Sequence, residues 1–236
     1  MQSIRNNIPN GITCLNLLCG ALACIMAFSF EREIDGLLGY EWSFILIGAA
    51  AVFDFCDGAA ARLLGAYSPK GKELDSLADL ISFGLAPSLL MYNMLTLQLQ
   101  GEYHWLPFLS LIIAVYGALR LAKFNVDTRQ TTSFIGLPIP ANAIFWIGYI
   151  TLAQKGAVEI PAWVSVVVMI VMALLMVSEI PMFSLKFKNF GLKDNLRRYL
   201  ILVAAVVFVI TAGDLSGLAW TIVLYVLMSL VGKKSA

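Results

Sequence analysis

Asp54, Asp57, Asp75 and Asp79 lie inside or at the edges of apolar stretches, within 26 residues of one another and spaced three, eighteen and four apart. Ionised carboxylates are costly in hydrocarbon, and where they occur they mark ion pathways, proton relays or ligand sites. Four such groups brought together need compensation. Arg62 and Lys70 are the nearby cations, and Arg62 alone cannot neutralise four carboxylates. Hard divalent cations can, because carboxylate oxygens suit Mg²⁺, Mn²⁺ and Ca²⁺. Two such ions about 3.5–4 Å apart clamp a phosphate ester and stabilise in-line attack at phosphorus. A proton or cation pathway is the competing chemistry. It requires neither Gly58 nor the small run Ala59-Ala60-Ala61 that adjoins the first acid pair.

The elements that position these acids are set by composition. Of the 236 residues, 60% are hydrophobic and only 13% charged, whereas soluble domains carry about 25% charged residues. The expected fold is all-α, a polytopic membrane helix bundle forming a single integral membrane domain over 1–236. A helix needs about 20 apolar residues to cross a bilayer. Eight spans are expected, near 11–30, 42–64, 75–98, 105–124, 137–154, 161–183, 199–213 and 216–231. Pro138 and Pro140 interrupt the fifth, and the last two form a hairpin around Gly213, Asp214 and Gly217. The first run carries no small-residue cleavage signature and reads as a retained helix.

Lysine and arginine distribution orients the bundle. With the N-terminus inside, fourteen of the sixteen basic residues fall on the cytosolic side and only Arg32 and Lys155 on the other. Both termini are then cytosolic. The second span enters from outside near Trp42, so at 1.5 Å per residue Asp54 lies roughly 18 Å and Asp57 about 22 Å along it, with Arg62 at the cytosolic surface. The third span starts there, near Leu74, after a connector over 63–73 that holds Gly65, Pro69 and Gly71. Asp54 and Asp57 share one helical face, as do Asp75 and Asp79. The two pairs therefore converge just under the cytosolic surface.

The remaining chemistry-bearing residues narrow the reading. Cys14, Cys19, Cys24 and Cys56 have no CxxC spacing and read as small hydrophobic residues. His104, the only histidine, follows a polar connector and has no acidic or thiol partner nearby, so histidine-based acid–base chemistry is not expected. Gly58 and Ala61 remove volume beside the acids, either for close helix packing or for a flat ligand group. Arg62 offers a donor fork suited to phosphate, or snorkels to headgroups. A net charge of +1 gives no sign of a nucleic-acid partner.

The pattern D-x2-D-G-x2-A-R-x8-G-x3-D-x3-D, met at Asp54, Asp57, Gly58, Ala61, Arg62, Gly71, Asp75 and Asp79, resembles the signature of the CDP-alcohol phosphotransferases. The resemblance implies a membrane enzyme that moves a phosphatidyl group from a CDP-linked lipid to an alcohol and releases CMP. It implies that Asp54, Asp57, Asp75 and Asp79 ligate Mg²⁺ or Mn²⁺, as two ions, with Asp79 also the general base. Gly58, Ala61 and Arg62 would lie against the CDP moiety, with Gly71 shaping the return. A homodimer in a prokaryotic cytoplasmic membrane, with the site facing the cytosol, is also implied.

Ser76 and Leu80 stand where glycerol-phosphate relatives usually carry Pro and Lys. The stretches 75–87, 119–125, 134–141 and 8–16 look like those of the phosphatidylserine synthase subgroup. CDP-diacylglycerol and L-serine are then the expected substrates. Glycerol 3-phosphate or inositol as acceptor, or an ether-lipid donor, is the alternative within the family; a cation-coupled transporter is the alternative outside it. The single occurrence of the acidic motif weighs against a transporter built from two repeats. At the end of the fourth span, Arg120 and Asn125 are candidates for serine; for Arg120 the rival reading is positive-inside topology, which Lys123 fits better. Asn10 and Thr13 open the first helix and, with Gly71, are further candidates for the nucleotide; capping the helix is the alternative for Asn10. The basic residues between 186 and 198 suit anionic lipid.

Overall fold

The computed structural model describes residues 2–101, 103–127, 129, 134–155, 159–185 and 191–231, without the side chains of 2–6 and 192–194. The expected lipid contacts at Lys186, Lys188 and Lys193, and the terminal Lys233 and Lys234, lie outside that description. The chain is helical almost throughout and divides into two compact units, Met1–Leu121 and Ala122–Ala236.

In the first unit, α1 (Gln2–Ala27) and α2 (Gly39–Leu64) form a hairpin. A two-residue turn, Asp35-Gly36, joins them through the short pair β1 (Glu33–Ile34) and β2 (Leu37–Leu38). Both turn residues have positive φ, 51° and 84°, which is the backbone this tight turn demands and which Asp-Gly supplies at little cost. The contact face of α1 is the row Pro9, Thr13, Asn16, Gly20, Ala23 and Ala27, all buried and spaced alternately four and three apart. Facing it, α2 buries Ser43, Ile47, Ala50 and Asp57 at the same rhythm. Small side chains let the backbones approach, and Ser43 Oγ donates to the Ala23 carbonyl at 2.9 Å. Asp54 and Asp57 continue the inward row of α2 beyond its apolar part, so one helical face is packing at one end and acidic at the other.

α2 ends at Gly65, left-handed at φ 61°. Ala66 N–H reaches back to the Ala61 carbonyl, closing the helix in the manner that favours glycine. Ser68 then caps α3 (Pro69–Asp79), accepting from Gly71 N–H with Pro69 in the first turn. The return is thus four residues long, tighter than the expected connector over 63–73, and α3 begins at Pro69 instead of Leu74. From Leu80 to Leu85 the helix widens into a π turn, with Ala86 N–H donating to the Ile81 carbonyl, before α4 (Ala86–Leu99). A 3-10 turn over Leu106–Leu111 leads into α5 (Ile112–Val126).

In the second unit, α6 (Ile139–Gln154) packs on α9 (Gly217–Val231), and α8 (Leu192–Ala212) lies against α9. α7 (Ala162–Val177) is tied in by the Tyr149–Ser165 hydroxyl bond at 2.8 Å. The strands β3 (Phe134–Ile135) and β4 (Pro181–Met182) pair antiparallel. Pro138 and Pro140 do not break α6. They start it, Pro138 at the cap and Pro140 in the first turn, where a missing N–H costs nothing.

Among the described residues, five helices are long and apolar enough to cross a membrane: Asn7–Ala27, Gly39–Leu64, Pro69–Leu99, Leu106–Val126 and Asn195–Ala212. Ala162–Val177 and Gly217–Val231 are shorter apolar helices, and Ile139–Gln154 completes the eight helical columns expected. The protein is a polytopic helical membrane protein. The capping expectation at Asn10 also fails. Since α1 starts at Gln2, Asn10 lies inside the helix and does not cap it; its Nδ2 donates to Asn7 Oδ1 at 3.3 Å.

Candidate functional site

The short return between α2 and α3 brings the two acid pairs face to face. Carboxylate oxygens of Asp54, Asp57 and Asp75 all lie within 4.8 Å of one another, with Asp57 buried and the other two half-buried. That is an all-oxygen donor set of the kind hard divalent cations take at 2.0–2.6 Å. Asp79, one turn beyond Asp75, is buried and interacts electrostatically with the other three.

Each inner carboxylate is held from α1. Thr13 Oγ1 donates to Asp57 Oδ2 at 2.6 Å, and also approaches the Pro9 carbonyl at 3.0 Å. Asn16 Nδ2 donates to Asp79 Oδ1 at 3.2 Å. Thr13 and Asn16 are one helical turn apart on the contact face of α1, so the helix that packs on α2 also sets the attitude of two acids. Hydrogen bonds to an ionised acceptor are among the stronger ones, roughly 1.5–3 kcal/mol.

Beside the acids lies a cavity of about 580 Å³, lined among others by Asn10, Thr13, Asp57, Gly58, Ala61, Gly71 and Asp75. Five of the residues expected at a nucleotide therefore share one cavity with two of the acids. Arg62 is exposed, and its Nη1 stands 3.8 Å from where a Cβ on Gly58 would be, so the guanidinium folds back over that glycine. A Cβ on Gly71 would sit 3.0 Å from both Asn10 Oδ1 and Ser68 Oγ, a tight contact that those side chains would have to relieve. Arg120 is buried near the end of α5 and is not part of the cavity lining; Asn125 follows on the same helix, half-buried.

Sequence reasoning passed over several residues of this site. Tyr67, Ser68, Pro69 and Lys72 line the cavity, and their only local signal was a turn. Asn16 and Ser82 are wholly buried polar residues in apolar helices. That is a readable anomaly, since a polar group in such a place is bonded to something, but periodicity does not say to what.

Residues 6–179 match the family described as CDP-alcohol phosphatidyltransferase; α8 and α9 lie beyond the matched stretch. The chain is 41% identical over 139 residues to the CDP-diacylglycerol–serine O-phosphatidyltransferase of Bacillus subtilis (strain 168), covering 57% of this chain and 70% of that one. The protein of the same name from Methanocaldococcus jannaschii is 35% identical over 182 residues, 76% of each chain. That from Mycobacterium leprae (strain TN) is 35% identical over 184 residues, 74% of this chain and 57% of that one.

Proposed function

Because the chain belongs to the CDP-alcohol phosphatidyltransferase family, we propose that it transfers the phosphatidyl group of CDP-diacylglycerol to the hydroxyl of L-serine and releases CMP. The observation that carries this reading is the convergence of Asp54, Asp57 and Asp75 at the edge of the cavity bounded by Gly58, Ala61 and Gly71. The names of the relatives support serine as acceptor. So do Ser76 and Leu80, which stand at the two positions where the resemblance to glycerol-phosphate relatives would place Pro and Lys.

In this reading Asp54, Asp57, Asp75 and Asp79 hold Mg²⁺ or Mn²⁺, as two ions, which when bound supply charge neutralisation and Lewis acidity at the diphosphate. Asn10, Thr13, Gly58, Ala61, Arg62 and Gly71 receive the CDP moiety. Small residues leave room for it, and the Arg62 fork meets phosphate oxygens. Asp79 takes the proton from the serine hydroxyl. The serine oxygen then forms a bond to the phosphorus bearing diacylglycerol, and the bond from that phosphorus to CMP breaks. Arg120 binds the serine carboxylate through its planar fork, and Asn125 is the second candidate for serine.

The fourteen-to-two split of basic residues supports a cytosolic site in a prokaryotic cytoplasmic membrane, with lipid tails kept in the bilayer and CMP and serine exchanged with water. The basic residues of 186–198 engage anionic lipid, and the family resemblance supports a homodimer.

The test is CMP release by purified protein with Mn²⁺ and CDP-diacylglycerol, offered serine, glycerol 3-phosphate or inositol in turn. Release with serine alone is the expected result. Release with another acceptor but not serine rejects the acceptor, and no release with any of the three ends the reading for these substrates.

A further inference from the structure

Resting on that reading of Asp79, we propose that Asn16 and Ser82 form a directed hydrogen-bond relay whose task is to lock the Asp79 carboxylate, and that the π turn after Asp79 exists to complete it. Ser82 Oγ lies 2.7 Å from Asn16 Oδ1 and 3.1 Å from the Asn16 backbone carbonyl. Asn16 Nδ2 lies 3.2 Å from Asp79 Oδ1. Asn16 and Ser82 have no solvent exposure, so no water competes for these bonds.

Donor and acceptor chemistry gives the relay one direction. An ionised carboxylate only accepts, so Asn16 must turn its amide nitrogen to Asp79. Its amide oxygen then faces Ser82, whose single hydroxyl proton must point at Asn16. Reversing the amide would set two acceptors against each other beside Asp79. Ser82 is thus the group that selects the working orientation of Asn16, and Asn16 pins one oxygen of Asp79 and leaves the other to react.

Two features of the backbone serve this contact. Ser82 sits within the π turn Leu80–Leu85, which shifts the register of the residues after Asp79 relative to a plain α-helix; such turns recur at functional sites. On the other side, Gly20 lies one turn beyond Asn16. A Cβ there would fall 2.2 Å from Ser82 Oγ and 2.7 Å from its Cα. Glycine at that position is what lets the Ser82 backbone reach α1. Both are positioning residues, since they act on substrate only through Asp79.

The test uses Asn16→Leu, which keeps the branched shape and loses both polar ends, Ser82→Ala, which deletes one oxygen, and the double variant. Asn16→Ala replaces the leucine variant if that one is not recovered as a monodisperse protein. Two quantities are read: Mn²⁺ affinity of substrate-free protein by electron paramagnetic resonance, and kcat and KM for CDP-diacylglycerol at saturating Mn²⁺. Loss of a group that orients a metal-site or catalytic residue typically costs 10–100-fold. The expected result is a fall of about tenfold in Mn²⁺ affinity or kcat in each single variant, an unchanged KM, and no further fall in the double. Both quantities within twofold of wild type, a loss in only one single variant, losses that multiply in the double, or a loss confined to KM overturns the relay. If wild-type protein releases no CMP, the transferase reading fails, while the Mn²⁺ titration still judges the relay.

Discussion

Thr13→Val is the sharpest probe of how α1 serves the acidic cluster. The substitution keeps size and β-branching at a position only 3% exposed, and replaces a hydroxyl with a methyl. It removes the 2.6 Å bond to Asp57 Oδ2 and the weaker 3.0 Å approach to the Pro9 carbonyl. Asp57, itself only 6% exposed, then loses the donor that pins one oxygen and presents the other to its neighbours. A hydrogen bond to a charged acceptor contributes about 1.5–3 kcal/mol. Part of that supports the fold whether or not a cation is bound. The part expressed in metal affinity is the ordering of the carboxylate, and about 1.4 kcal/mol of it equals tenfold. Half-saturating Mn²⁺ for CMP release should therefore rise about tenfold in Thr13→Val, in line with the usual cost of losing such a partner. Thr13→Ser, which keeps the hydroxyl, should stay within about threefold of wild type on the same scale. The assay is CMP release across a Mn²⁺ series at saturating CDP-diacylglycerol, checked by direct Mn²⁺ titration of the substrate-free protein. A valine variant with unchanged Mn²⁺ dependence, or a serine variant as impaired as valine, refutes the reasoning.

Asp79→Asn keeps the shape that Asn16 engages and removes the base, so turnover should fall at least a hundredfold; CMP release near the wild-type rate would take that role from Asp79. In the second unit, a Cβ on Gly148 would lie 2.3 Å from the Ala219 backbone nitrogen. Gly148→Ala should therefore force α6 from α9 and cost about 1–3 kcal/mol, read as a lower midpoint of thermal unfolding in detergent; an unchanged midpoint would count against that close crossing. Hydrogen bonds from Ser216, and then Lys155, hold the Asp214 carboxyl below the usual carboxylate range. A carboxylate held low in the fold contributes stability that is complete above its unfolded value and is lost as pH falls through its folded one. The gap in thermal midpoint between wild type and Asp214→Asn should accordingly be open at neutral pH and close on acidification below the ordinary aspartate range. A gap that persists or widens there would reject the assignment.

Much of the architecture was legible in the chain because hydrocarbon is an unforgiving solvent. Among the described residues, the eight apolar stretches became eight helical columns, and the spacing of the four aspartates put each pair on one helical face. Helix ends were less legible. α1 begins near residue 2 and not 11, and it carries Pro9 within it, so neither the apolar pattern nor the proline marks its start. The connector after Gly65 closed in four residues, since a left-handed glycine and a Ser-Pro cap act locally, whereas the apolar pattern from which spans are read begins only later.

The residues of the cavity show the same division. Gly58 and Ala61 were readable from their register with the acids, and Gly71 from the turn signal of the connector. Tyr67 and Lys72 were not, since nothing in a linear pattern distinguishes a residue that faces a cavity from one that faces solvent. Local sequence by itself determined the acid pairs and the apolar spans, because helical periodicity relates residues only three and four positions apart. Which residues 44, 63 and 66 positions away would meet Asp57, Asp79 and Ser82 was decided by the packing of α1. Such contacts depend on where glycines let two backbones approach and on which direction each hydrogen bond must run, and both exist only once the helices are side by side.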